Sequence, residues 1–285
     1  MRVAVTGAGG FCGGVVAKLA AGRGLEVVCL GRRPGPVGRH VRWDATRDEP
    51  ELSGVDVVVH LAAAVGDPPP GRAAEAAFHA VNVAGTRRLL AAAGDRPVIW
   101  VSSASVYRPG PYAGPVDEQH PVDRQRTVYG RTKAAGERLA LAAGKVVLRP
   151  RAVYGPGDPH LLPRLRRVVR GGRAWLPGPD VPLSLTAVDN LATACLAAIG
   201  WPAGAYNVAD AQAYRRDEAV AAVLGVPVRH VPVSLVRALT VAARVHPAPA
   251  LTGYAVDQLT DGLVLDIGRA RSQGWRPEHT LTSYW

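Results

Sequence analysis

Short apolar runs, several of them apolar on both faces, alternate with alanine-rich stretches of helical length through the first half of this chain. Residues 2–6, 26–30, 40–43, 56–61, 98–102 and 145–148 read as strands of four to six residues. A strand that is apolar on both faces must be covered on both, and a parallel sheet flanked by helices does this. Residues 11–21, 72–93 and 128–143 supply the helices, the last with Thr127 as N-cap and Gly144 just past its end. The alternation predicts an α/β fold built on a doubly wound parallel sheet. With 285 residues, 48% hydrophobic and 20% charged, the chain can fill such a core.

After Pro150 the pattern loosens. Gly155-Pro156-Gly157 is a turn, a helix is expected over 161–170, residues 171–182 form a Gly/Pro-rich loop, and a helix starts at Asp189. Shorter pieces fall at 206–208, 217–224, 228–231 and 235–245. This predicts a first domain over 1–154 and a smaller C-terminal α/β lobe over 155–285, interleaved with it and covering the carboxyl ends of the strands. An apolar helix over 235–245 would wall a pocket there or pack into the core.

Several classes are disfavoured. No apolar stretch approaches the ~20 residues of a bilayer span, and the N-terminus reads as a strand rather than a secretory leader. Cys12, Cys29 and Cys195 form neither a CxxC pair nor a Cys/His cluster, so a disulfide framework and a metal site are not expected, and a reducing, cytoplasmic setting is. The net charge is +11, and 31 of the 34 cationic residues are arginine. They are spread along the chain except for Arg164, Arg166, Arg167, Arg170 and Arg173, where no aromatic residue interleaves to stack on bases; nucleic acid is not an expected partner.

The chemistry concentrates at three places. Gly7, Gly10 and Gly13 are spaced G-x-x-G-x-x-G between the first strand and the first helix. A turn without Cβ atoms lets backbone approach a pyrophosphate, and the helix aims N–H groups and its positive dipole end at it. Arg32 and Arg33 follow the second strand, where a fold selective for NAD carries an acid against the ribose 2′-hydroxyl. Guanidinium suits a 2′-phosphate, so NADP is expected, with NAD as the other choice. Asp44, after the third strand, either accepts from the adenine amino group or caps a turn. Tyr129 and Lys133 are i and i+4 on one helix and share a face. An ammonium about 4 Å from the phenol is worth ~4 kcal/mol at an effective dielectric of 20. It would lower a phenol of pKa ~10 by up to ~3 units, making a tunable proton donor and acceptor. The run Val101-Ser102-Ser103-Ala104-Ser105-Val106-Tyr107 brings hydroxyls to the carboxyl end of the fifth strand, either to hold a carbonyl oxygen or to cap the loop.

In this order the three pieces resemble the short-chain dehydrogenase/reductase superfamily, in its extended, epimerase/dehydratase-like branch. So do Asp56-Val57-Val58-Val59-His60-Leu61-Ala62-Ala63, Asn82-Val83-Ala84-Gly85-Thr86, Leu148-Arg149-Pro150-Arg151-Ala152-Val153-Tyr154-Gly155-Pro156-Gly157, Val188-Asp189-Asn190-Leu191-Ala192 and Tyr206-Asn207-Val208. The likeness covers nearly the whole chain. It implies a Rossmann domain, Tyr129 as catalytic acid/base, Lys133 also holding the nicotinamide ribose, and Ser103 as the catalytic Ser/Thr. It further implies that Gly7, Gly10, Phe11, Cys12 and Gly13 hold the pyrophosphate, that Leu61, Ala62, Ala63, Asn82, Pro150 and Val153 line the cofactor, and that helices 72–93 and 128–143 pair two copies in a homodimer.

Within the branch, nucleotide-sugar enzymes carry an arginine before their His-Val-Asp-like motif to grip a diphosphate. The matching position here is Leu183, in a segment, 181–189, without any cation. The Val188-Asp189-Asn190 motif, Val231-Pro232-Val233-Ser234-Leu235, and Asp266-Ile267-Gly268-Arg269-Ala270 followed by Gly274-Trp275-Arg276-Pro277 are similar instead to the 3β-hydroxysteroid dehydrogenase-like subgroup. The expected function is therefore an NADP(H)-dependent ketoreductase or hydroxy-dehydrogenase acting on a small, mostly apolar molecule. A nucleotide-sugar epimerase, dehydratase or reductase is the first alternative, kept open by the Arg164–Arg173 cluster. An inactive dinucleotide-sensing protein is the second.

Overall fold

The computed structural model describes residues 1–68, 71–242 and 252–285. Strands β1 (Arg2–Thr6), β2 (Glu26–Gly31), β3 (Arg39–Arg42), β4 (Val57–His60), β5 (Val98–Val101) and β6 (Val146–Pro150) join the strand Gly204–Val208 in a seven-stranded sheet. All pairings are parallel, in the order Gly204–Val208, β6, β5, β4, β1, β2, β3. Every residue of β4, β5 and β6 is buried, as both-faced apolar strands require. The outermost strand, β3, is instead mostly exposed and carries Arg39 and Arg42, charges that blunt an open edge.

Helices α1 (Phe11–Gly22), α2 (Arg72–His79), α3 (Thr86–Ala93) and α4 (Val128–Ala142) flank this sheet. The single helix expected over 72–93 contains a π-helical turn, Ala80–Gly85, between α2 and α3. Two glycines mark how tightly that turn is gripped: a Cβ on Gly85 would stand 2.6 Å from the Ala45 carbonyl oxygen, and one on Gly136 of α4 would stand 2.3 Å from the Asn82 carbonyl oxygen.

Beyond Pro150 the chain leaves the sheet and returns to it. The piece expected at 206–208 is the edge strand Gly204–Val208, in register with β6. Helix Val188–Ala197 packs Leu191, Ala192 and Cys195 into the same core as Val16, Ala17 and Ala20 of α1. The helix expected over 161–170 ends at Arg166, and the chain turns into a three-stranded sheet of Val169–Arg170, Arg173–Pro177 and Val228–Val231. Of the helix expected over 235–245, Val233–Ala242 is observed and 243–245 fall outside the described residues. Its Leu235 and Leu239 are exposed, so these two side chains neither wall a pocket nor join the core.

The Asn190 and Asp189 of the sequence motif have structural work. Asn190 Nδ2 donates to Asp210 Oδ1 at 2.8 Å and its Oδ1 accepts from the backbone of Glu278 and His279, while Asp189 accepts from the Tyr284 hydroxyl.

The centre of the molecule is a buried ion pair. Arg149 of β6 and Glu137 of α4 meet at 2.5 Å, with side chains 3% and 2% exposed. Ser102 donates to Glu137 Oε2 at 2.5 Å, and Arg149 Nη1 donates to the Tyr107 hydroxyl, which donates to Asn207 Oδ1 at 2.6 Å. Removing one partner leaves an uncompensated buried charge. Arg149→Met is expected to cost about 3–5 kcal/mol of stability. The double variant Glu137→Met/Arg149→Met should recover at least half of that loss; urea denaturation of both proteins checks it.

Candidate active site

The sheet order reverses between β1 and β4, the switch point at which a sheet of this kind forms its crevice, at the carboxyl ends of the two strands. Thr6 ties its floor together: its hydroxyl oxygen accepts from the N–H groups of Leu61 and Ala62 at 3.1 and 3.0 Å and lies 2.8 Å from His60 Nδ1. An oxygen already accepting twice gives its own proton to Nδ1, which makes His60 the Nε2–H tautomer. Burial, helped by the Lys133 charge, pushes the His60 pKa down to about 3, so the ring is neutral.

The glycine turn follows Thr6. Gly7 has φ +71°, and its Cβ would stand 2.9 Å from the Ala62 nitrogen; a Cβ on Gly13 would stand 2.3 Å from the Gly7 oxygen. Gly10 donates to the Gly7 oxygen at 2.9 Å and caps α1, whose first turn carries no side-chain cap and no acid. Backbone packed this closely against the β4 exit, with N–H groups at the helix start left to a ligand, fits the pyrophosphate of a dinucleotide. Phe11 and Cys12 begin the helix, half-buried. Burial, with Asp158 nearby, pushes the Cys12 thiol up to about 12, so it stays protonated.

Leu61, Ala62 and Ala63 run half-buried along the crevice. Asn82 is buried under them: its Oδ1 accepts from Ala64 N–H at 2.8 Å, and its Nδ2 donates to the Ala64 oxygen at 3.1 Å and to Thr132 at 3.0 Å. The polar atoms of Asn82 thus hold up the crevice wall. Pro150 ends β6 buried, and Val153 is half-buried. Arg32 and Arg33 are exposed past β2, with Arg33 Nη2 3.3 Å from the Gly9 oxygen, so the guanidinium leans over the glycine turn. Asp44 Oδ1 accepts from the Thr46 N–H and hydroxyl at 3.0 and 2.8 Å. These bonds, with Arg32 and Arg47 beside it, lower its pKa; it caps a turn within reach of Arg32's field.

The chemical groups converge from β5 and α4. Thr127 caps α4 by accepting from the Gly130 N–H at 3.0 Å, which sets Tyr129 in the first turn. Tyr129 stands beside Ser103, and burial raises its pKa above the ordinary phenol value despite the opposing pull of that hydroxyl. Lys133 behaves differently from the helical-face expectation. Its Nζ turns inward, donates to the Val101 oxygen at 2.6 Å and lies 3.8 Å from the centre of the Trp100 ring. Burial lowers its pKa to about 7, against the opposing pull of Glu137. In this geometry the ammonium is spent on β5, and burial rather than a neighbouring cation dominates the phenol.

Other residues meet here that spacing did not single out as site residues. Ser105 lies 2.8 Å, hydroxyl to hydroxyl, from Tyr254, which arrives on the helix Gly253–Thr260 of the C-terminal lobe. Arg126 pairs with Asp257 of that helix. A lone tyrosine with no spacing relation to any motif carries no sequence signal. Farther out, Leu183, Leu185, Leu161, Leu165, Val220 and Tyr154 line an apolar cavity of about 60 Å³. Arg216 also borders it, but its guanidinium is committed to Asp217 and to the carbonyls of Pro177, Gly178 and Leu259. The cluster from Arg164 to Arg173 is solvent-exposed at all five arginines. Among the described residues no helix is long and apolar enough to cross a membrane.

Known proteins resemble this chain over most of its length. A sequence profile of the NAD dependent epimerase/dehydratase family matches residues 3–209. The chain is 33% identical to 2-alkyl-3-oxoalkanoate reductase of Stenotrophomonas maltophilia over 68% of its own length and 64% of that protein's. The match thus spans less than two thirds of that relative. It is 30% identical to a 3 beta-hydroxysteroid dehydrogenase/Delta 5-->4-isomerase of Mycobacterium tuberculosis, covering 98% of this chain and 87% of the other. Among solved structures, MoeE5 in complex with UDP-glucose and NAD superposes with a TM-score of 0.76 at 26% identity, covering 99% of this chain and 95% of that one.

Two outcomes follow from the geometry. Gly13→Ala drives a Cβ into the Gly7 backbone and is expected to weaken dinucleotide binding by about tenfold or more, read by isothermal titration. Lys133 has a folded pKa near 7 against an ordinary 10.5, so the unfolded chain binds the extra proton between those values. Stability from this group therefore rises with pH across that window and is lowest below it. Lys133→Met should gain most over the wild type near pH 6 and lose that advantage towards pH 10, measured by urea denaturation across the range.

Proposed function

The chain belongs to the NAD dependent epimerase/dehydratase family, and from that premise we propose that it is an NADP(H)-dependent ketoreductase or hydroxy-dehydrogenase acting on a small, mostly apolar molecule. It is an enzyme of the extended short-chain dehydrogenase/reductase type, and its cofactor is a nicotinamide dinucleotide. The observation that carries the choice within the family is Leu183, which stands 6% exposed among other apolar side chains where nucleotide-sugar enzymes keep a cation for a diphosphate. A diphosphate without cationic partners in a partly dry site binds poorly, whereas an alkyl group does not. The printed activities of the relatives, a 2-alkyl-3-oxoalkanoate reductase and a hydroxysteroid dehydrogenase, support the same class.

When bound, the dinucleotide supplies or accepts a hydride at its nicotinamide C4. Gly7, Gly10 and Gly13 would hold its pyrophosphate, Arg32 and Arg33 a 2′-phosphate, and Lys133, once its Nζ turned from the Val101 oxygen, its nicotinamide ribose. Tyr129 gives a proton to the substrate oxygen during reduction and takes it back during oxidation. Ser103, beside Tyr129, donates to the same oxygen and stabilises charge that builds on it. A phenol whose pKa is raised by burial keeps its proton at neutral pH, which suits the reducing direction. The α2–α3 and α4 helices form the pairing face of a homodimer in this reading. The alternative, a nucleotide-sugar enzyme, draws on Arg164, whose charge reaches Tyr254; stabilisation by UDP- or dTDP-sugars in a thermal-shift series would favour it.

Tyr129→Phe is expected to abolish carbonyl reduction while leaving NADPH binding, followed by fluorescence, within about twofold of wild type. Turnover that survives the change refutes the role given to Tyr129. The double variant Arg32→Ala/Arg33→Ala should lower kcat/KM for NADPH relative to NADH by about tenfold or more.

A further inference from the structure

Two hydroxyls are enough to hold one carbonyl oxygen, yet this site gathers four. Tyr129 stands beside Ser103. Ser103 Oγ donates to Ser105 Oγ at 3.1 Å and accepts from the Ser105 N–H at 3.2 Å. Ser105 Oγ lies 2.8 Å from the Tyr254 hydroxyl. The short turn Ala104–Val106 fixes the two serines relative to each other. Among the described residues, the Tyr254 and Ser105 hydroxyls have only other hydroxyls as hydrogen-bond partners, so their protons can turn towards a ligand oxygen.

The helix of Tyr254 is held at its start and at its middle. Thr252, the N-cap, donates to Asp67 Oδ2 at 2.5 Å, past the end of β4. Asp257 binds Arg126, just before α4, and Arg237 at 2.9 Å. These tethers bring a phenol from the C-terminal lobe to the catalytic serine run and keep it there. Below it lies Arg151, 4% exposed, which donates to the carbonyl oxygens of Ser184 and Gln258 at 2.7 and 3.2 Å. Its Nε has no partner, and no carboxylate among the described residues forms an ion pair with it. Its positive field reaches Tyr254. A buried cation with no ion-pair partner, only the more distant Asp261 charge, favours an electron-rich oxygen nearby.

We propose that Ser105 and Tyr254 form a second oxygen-binding position beside Ser103 and Tyr129, so that the site selects β-oxo acyl compounds, in which an acyl oxygen lies two carbons from the reacting ketone. The two oxygens of such a compound, turned to the same side, are about 3 Å apart, one hydrogen-bond length. That matches the 3.1 Å step from Ser103 to Ser105. The ketone oxygen takes the Ser103–Tyr129 pair and the acyl oxygen takes the Ser105–Tyr254 pair. Hydride adds to the ketone carbon, the Tyr129 proton goes to its oxygen, and the acyl group leaves as it came, giving a β-hydroxy acyl product and the oxidised dinucleotide. This inference rests on the ketoreductase reading and adds to it the chemistry that Tyr254 and Ser105 recognise.

The test compares kcat/KM with NADPH for methyl 3-oxodecanoate, free 3-oxodecanoate and 3-decanone, three ketones with the same alkyl chain. The wild type is expected to favour at least one acyl compound over 3-decanone by about tenfold or more, the preferred one showing whether ester or carboxylate is taken. In Tyr254→Phe, and separately in Ser105→Ala, that ratio should fall to within about threefold of one. Equal values for the ketone and both acyl compounds in the wild type overturn the proposal. So do variants that lower all three rates by one common factor, since that marks a structural loss. Absence of turnover on all three substrates overturns the ketoreductase reading itself and the inference with it, a result distinct from turnover without discrimination.

Discussion

Glu137 and Arg149 form a charge pair buried beneath the active site, and the elements that carry the chemistry are fastened to it. Glu137 lies one helical turn after Lys133 on α4, so the helix that presents Tyr129 is anchored at that carboxylate. Ser102, which donates to the same carboxylate, is the residue before Ser103. Arg149 reaches on to Tyr107, at the far end of the serine run, and to the Glu118 carbonyl. A buried pair is expensive unless its lone pairs and protons are all used, and here hydroxyls and a carbonyl oxygen take up the remainder. The result is that β5, β6, α4 and the edge strand Gly204–Val208 are locked in one relation. Ser103 and Tyr129 then meet without relying on loop packing.

The cofactor side rests on a different constraint, the absence of side chains. Between β1 and α1 the backbone passes so close to Ala62 and to itself that Cβ atoms at Gly7 and Gly13 have no room. Thr6 and Asn82 stiffen the opposite wall from below, one through Leu61 and Ala62 and the other through Ala64. A groove bounded by rigid backbone on both sides presents peptide N–H groups at fixed positions, which is what a pyrophosphate needs. The substrate side is built from the C-terminal lobe. There the lobe brings Tyr254 to the serine run and encloses the apolar cavity around Leu183.

Much of this was legible beforehand, and the reasons are local. The strands that read as apolar on both faces became the central sheet because burial on both faces is a property of composition over four to six residues. The glycine turn was legible because a positive φ and a close approach leave only glycine. Thr127 and Gly144 were legible because caps are local chemistry. Asp44 could be read two ways, and the turn-capping one is seen in its bonds to Thr46 through Oδ1. Helix 72–93 was legible in extent but not in its π-helical turn, which depends on Ala45 and Gly136 from elsewhere in the chain.

What escaped was of longer range. The i, i+4 spacing rightly put Tyr129 and Lys133 on one helix, but spacing cannot tell where a flexible side chain ends. The Val101 oxygen and the Trp100 ring drew the ammonium inward. Arg149 and Glu137 lie 12 positions apart, Ser105 and Tyr254 149. Local sequence therefore determined which segments are strands, which are helices and where backbone must be bare, since each follows from burial and sterics within a few residues. Tertiary structure alone decided which charges neutralise one another and which hydroxyls share a row, because those depend on separations that only the folded sheet creates.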